Sequence, residues 1–197
     1  MNLIDRVSRQ FEDNMRTALE ALEMLAAPIA GAVELITASL LENGKVLVCG
    51  AAGSAGDARR FAAQLVNGFE LERPSLAAMA LSADASTLAP IAGEPDTSTL
   101  FARQIEVFGH PGDVLVAIAA NGEPMRILDA IGAAHERDMR VIALTGADAG
   151  RIAARLGPAD IHLAAPADRS ARIQELHLLI LHCLCDGIDC LLLGVED

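Results

Sequence analysis

The sequence predicts an α/β domain in which a parallel sheet is covered by helices on both faces. Two observations point there. Short runs such as Val46 to Cys49 and Val114 to Ile118 are apolar at every position rather than at alternate ones, as strands buried on both faces require. These runs alternate with stretches at helical spacing, and at 46–66 and 114–137 a run passes through a tight loop of mostly small residues straight into a helix. In an open parallel sheet such loops lie at the carboxyl ends of the strands, so both are expected to face one crevice.

Taken in order, residues 3 to 42 place Leu3, Ile4, Val7, Phe11, Met15, Leu19, Leu22 and Leu25 at helical spacing. Pro28 stands where a second helix starts, and that helix runs through Ile29, Val33, Ile36 and Leu40 to the stop at Asn43-Gly44. The expectation is one domain over 1–197: a leading helical pair over 1–43, then an α/β core over 44–197 closed by a C-terminal helix. Helices added at the edge of such a domain often make subunit contacts. The stretch from Lys45 to Val66 then reads strand, turn (Gly50, Ala51, Ala52, Gly53, Ser54) and helix, a junction whose free amides and helix dipole suit an anion such as a sugar phosphate.

Further along, Arg73-Pro74-Ser75 is a turn into a strand over 76–81, and Asp84 can cap a short helix over 85–92. A helix over 97–108 and the turn His110-Pro111-Gly112-Asp113 lead to the strand at 114–118 and its loop, Ala119 to Pro124. A helix over 125–137, a strand at 140–144, a short helix over 148–155, a strand at 160–163 and a closing helix over 169–193 complete the chain.

Composition narrows the function classes. Fifteen Lys and Arg against 27 Asp and Glu give a net charge of −12, which disfavours direct nucleic-acid binding. The acidic Asp5, Glu12, Asp13, Glu20 and Glu23 read as a solvated face or a partner surface. A charged N-terminus and the lack of any uninterrupted apolar run of about 20 residues point to a cytoplasmic protein off the membrane. Cys49, Cys183, Cys185 and Cys190 form no CxxC pair and read as buried, reduced thiols.

The segments GKVLVCGAAGSAGDARRFAAQL, NGFELERPSLAAMAL, GHPGDVLVAIAANG, RDMRVIALTG and SARIQELHLLILHCLCDGID together resemble the sugar isomerase (SIS) domain family. The likeness runs from about residue 3 to residue 193 and is strongest to the subgroup of phosphoheptose isomerases and DnaA initiator-associating (DiaA) proteins. It implies a flavodoxin-like, five-stranded parallel sheet and a homotetramer with pockets at subunit boundaries.

The resemblance also locates the chemistry. Its isomerases move a proton between adjacent carbons with a carboxylate and an imidazole. The glutamate falls here at Gln64, which cannot accept a proton, and a histidine one turn earlier falls at Arg60. Only His182 persists, either as a catalytic group or as a vestige. Some members hold zinc at the positions of Arg60, Gln64, Gln174 and His182, a set that predicts no metal here, and no other cofactor is expected. The hydroxyl-rich phosphate loop is replaced by Ala119, Ala120, Asn121, Gly122, Glu123 and Pro124, and an Asn-Asp pair near the substrate by Gly93 and Glu94. Ser54, Asp84, Thr145 and Gln174 persist as candidate ligand-binding residues.

Several of these residues admit a second reading. Ser54 serves as a helix cap or a ligand contact. Arg60 pairs with Glu123 or Glu175, or binds an anion. His177 faces a neighbouring helix or subunit, and His135 lies exposed on a surface helix. Leu191, Leu192 and Leu193 form part of a subunit or partner contact. Loss of both proton-transfer partners and the phosphate loop favours a non-catalytic tetrameric adaptor of the DiaA type, binding the DnaA initiator and acting in replication initiation. The alternatives are a phosphoheptose isomerase acting on sedoheptulose 7-phosphate, and a phosphosugar sensor without turnover.

Overall fold

A computed structural model of the chain describes residues 2–81, 98–120 and 125–194. The first element is α1 (Leu3–Leu41), followed by β1 (Val46–Gly50), α2 (Ser54–Asn67) and β2 (Ala78–Ala80). Then come α3 (Leu100–Phe108), β3 (Val114–Ile118), α4 (Met125–Glu136), β4 (Arg140–Thr145), α5 (Gly150–Arg155), β5 (Ile161–Ala164) and α6 (Ser170–Leu193). The five strands form one parallel sheet in the order β2-β1-β3-β4-β5. The short helix expected over 85–92 lies outside the described residues.

Alternate residues of each buried strand feed two separate cores, which is why the strands carry no polar face. Val46, Val48, Val114, Val116, Ile142 and Leu144 pack against α1, α2 and α6. Leu47, Cys49, Leu115, Ala117, Val141 and Ala143 pack on the other side against α3, α4 and α5.

The expected N-terminal helical pair is a single helix of 39 residues with Pro28 inside it. A proline within a helix removes one backbone hydrogen bond and ordinarily breaks or kinks it. Burial outweighs that loss: Leu25 before Pro28, and Ala32, Val33 and Ile36 after it, all enter the same core. The helix ends where the sequence indicates, with Asn43 in the left-handed region at φ 63°. By length and composition α1 and α6 resemble membrane-crossing helices, yet here they pack against each other and the sheet.

Candidate active site

The sheet reverses its strand order at β1, so the crevice opens beyond the carboxyl ends of β1 and β3. Their loops are tied there, because the Ala51 amide donates to the Ile118 carbonyl (3.3 Å). The strand-to-helix turn demands glycine at its start: a Cβ on Gly50 would sit 2.2 Å from the Ser54 carbonyl oxygen. Gln174 of α6 leans over the first turn of α2, so that a Cβ on Gly53 would lie 2.9 Å from its Nε2, a flexible side-chain end that can move aside.

Ser54 is not the helix cap. Gly53 holds that position, and the Ser54 side chain is fully buried with its Oγ unpartnered among the described residues. Thr145, at the end of β4, is buried and already engaged: its hydroxyl donates to the Gly146 carbonyl (2.9 Å) and accepts from His162 Nε2 (2.8 Å). Beside it a cleft of about 350 Å³ is bounded by Ala119, Ala120, Gly146, Asp148 and Asp168. Asp84, Gly93, Glu94 and the loop residues Asn121, Gly122, Glu123 and Pro124 lie outside the described residues.

The remaining candidates gather along the seam between α2 and α6. Gln64 is half-buried, and its Oε1 accepts a hydrogen bond from the Cys185 thiol (3.8 Å). Burial pushes that thiol up to about 12, so it stays protonated and able to donate. His182, one turn before Cys185, is half-buried with its ring against Phe69, centroids 5.2 Å apart. Arg60, one turn before Gln64, is exposed. It does not meet Glu175 within the chain, because Glu175 accepts from Arg172 (2.7 Å) and Asn14 (2.6 Å). This set does not fit zinc: one position is a cation and another has its amide oxygen engaged by a thiol.

Two histidines are placed differently from the sequence reading. His135 is not a free surface group, since it bonds Asp160 Oδ2 at 2.7 Å. His177 is buried, donates from Nε2 to the Thr145 carbonyl (3.0 Å) and leaves Nδ1 unpartnered. Burial lowers its pKa, with the Thr145 bond and the charge of Asp57 opposing, and burial also lowers that of His162. The folded protein therefore binds fewer protons than the unfolded chain at acid pH. Stability should be complete above the ordinary histidine value of 6.5 and fall as the pH drops below it. Melting temperatures between pH 8 and 5 check this, with His177→Gln expected to flatten the slope. A melting temperature that rises on acidification would refute it.

The cysteines divide evenly rather than all being buried: Cys49 and Cys185 are buried, while Cys183 and Cys190 are exposed. Sequence reasoning missed Arg73, reading it only as part of a turn. Its buried guanidinium donates to Asp189 on α6, to the Leu65 carbonyl (2.7 Å) and to the Gln64 carbonyl (3.1 Å). The signal was present, because Asp189 is a carboxylate inside the apolar stretch of the closing helix and requires a partner.

The strand order and the helices on both faces define an open α/β domain of flavodoxin-like type. The chain belongs to the SIS domain family, whose match covers residues 10–146. It is 64% identical over its full length, and over the full length of the relative, to phosphoheptose isomerase of Aromatoleum aromaticum. It also superposes on the solved phosphoheptose isomerase of Neisseria gonorrhoeae with a TM-score of 0.89 at 43% identity, covering 95% of this chain and 99% of that one. For the phosphoheptose isomerase structure from Francisella tularensis the TM-score is 0.91 at 39% identity, covering 96% and 99%. These matches overturn the adaptor reading favoured by the sequence: the relatives that share the whole chain are named for the isomerase, and nothing in them points to replication initiation.

Proposed function

We propose that this chain is a phosphoheptose isomerase, interconverting sedoheptulose 7-phosphate and the aldose heptose 7-phosphate. The observation that carries the reading is the end-to-end match, at 64% and 61% identity, to relatives of that name. Ketose and aldose interconvert when a base removes a proton from C1, an enediolate forms, and a proton is returned at C2 while another moves between the two oxygens. His182 supplies an imidazole at the seam, the side chain that most often carries such protons. Ser54 and Gln174, at the first turn of α2, are the groups we assign to holding the ligand.

A second reading, sugar-phosphate binding without turnover, is favoured by one specific feature. Gln64 cannot act as a base, and its carbonyl is tied to Cys185. Following sedoheptulose 7-phosphate by NMR, alongside calorimetric binding, separates the two. Aldose formation above a protein-free control supports the isomerase, binding alone supports the second reading, and neither overturns both.

We further propose a cytoplasmic homotetramer that contacts neither nucleic acid nor membrane. Support comes from α1, which leaves Leu3, Ile4, Val7, Phe11, Met15, Leu19 and Leu22 exposed on one chain. Leu22, Leu25 and Ile29 of α1, with Leu179 and Leu191 of α6, also border an apolar groove of about 470 Å³. Light scattering should give four times the chain mass of 20.6 kDa. A monomer would end the proposal.

A further inference from the structure

Two contacts fix how α2 and α6 lie. Gly53 meets Gln174, and Gln64 meets Cys185. The separation along the chain is the same on both helices, so they run parallel and in register. Arg60 therefore stands level with Leu181 and His182. Leu181 is buried in the core, whereas His182 is half-buried at the seam. Since Arg60 and Gln64 are one turn apart, they share a face of α2.

The chemistry of this group is one-sided. The thiol of Cys185 donates to the amide oxygen of Gln64, and the other end of that amide carries two N–H donors. Arg60 adds a permanent cation whose planar fork suits a carboxylate or a similar pair of oxygens. The nearest acid along α2, Asp57, lies a turn earlier, and its charge is felt at His177. On α6, Asp186 acts on Cys183 and Cys185.

We propose that Arg60 and Gln64 form an oxyanion-binding pair beside His182. The seam then favours a sugar phosphate whose carbonyl end carries negative charge. One such species is the enediolate of the isomerisation, and its stable counterpart is a phosphorylated sugar acid. Donors aimed at charge that appears only during reaction lower the barrier without needing to accept a proton. This inference rests on the sugar-phosphate reading given above and assigns a role to two side chains that cannot act as bases.

The test is calorimetric binding of gluconate 6-phosphate against glucitol 6-phosphate, both open-chain, which differ at C1 as carboxylate and hydroxymethyl. The intact protein should bind the acid about tenfold more tightly, a typical gain for a charge-assisted pair. Arg60→Ala should bring the two ligands to within about twofold, and Arg60→Lys should keep part of the preference, as a point charge lacking the fork. Because Arg60 is exposed, these variants are expected to fold normally. Gln64→Glu, which puts a carboxylate against the ligand's own, should reverse the preference. Equal affinities in the intact protein, or a preference that survives Arg60→Ala, would overturn this inference while leaving sugar-phosphate binding in place. Failure of both compounds and of sedoheptulose 7-phosphate to bind would remove the functional reading as well.

Discussion

Replacing Arg73 by alanine is expected to destabilise the protein by about 3–5 kcal/mol, the cost of breaking a buried ion pair by removing one partner. The size follows from what the guanidinium touches. Its side chain is 1% exposed and that of Asp189 is 3% exposed, so neither charge can fall back on water. Beyond Asp189, it satisfies the carbonyls of Leu65 (2.7 Å), Pro74 (3.1 Å) and Gln64 (3.1 Å), two of them in the last turn of α2. Removing it would leave a buried carboxylate whose other oxygen already lacks a partner, while the Gln64 and Leu65 carbonyls would keep their bonds from the Gly68 and Leu76 amides. Arg73→Lys keeps the charge but loses the fork and should recover only part of the loss. Urea denaturation of the three proteins provides the measurement. A change below about 1 kcal/mol, the usual value for an exposed pair, would show that the clasp is not closed in solution.

That clasp also marks where the sequence stopped being legible. Strands announce themselves locally: Val46 to Cys49 and Val114 to Ile118 are apolar at every position, and the sheet that results buries them on both faces. The loop after β1 is equally local, since Gly50 starts a turn with no room there for a side chain. Arg73 and Asp189 are 116 residues apart, and no periodicity links them. Pro28 misled for the opposite reason. Its local meaning is a break, but packing of Leu25 and Ile36 into one core overrides it. At the seam, Gln64 lies on α2 and Gln174 and His182 on α6, the two helices on which the sequence put them. The sequence could not reveal that Cys185 holds the amide of Gln64 or that Thr145 spends its hydroxyl on Gly146. Those are choices among partners, made by the geometry of packed helices.

The same geometry makes His182 the residue on which turnover should depend most. It is the imidazole placed at the seam, half-buried, against Phe69, and within a turn of the residue that orients Gln64. Neither of its seam neighbours can take a proton from carbon: Arg60 stays charged and an amide is not a base. If the chain isomerises sedoheptulose 7-phosphate, His182→Ala should lower kcat by about 10² to 10⁴, the usual contribution of a positioned acid or base. KM should change far less, because the ligand contacts proposed for Ser54 and Gln174 lie at the other end of α2. His182→Gln separates proton transfer from packing. It keeps a polar side chain that can still lie against Phe69, so it should fold like the parent yet remain as slow as the alanine variant. A His182→Gln enzyme with parental kcat would mean that the proton is carried elsewhere, and would return His182 to a packing role against Phe69.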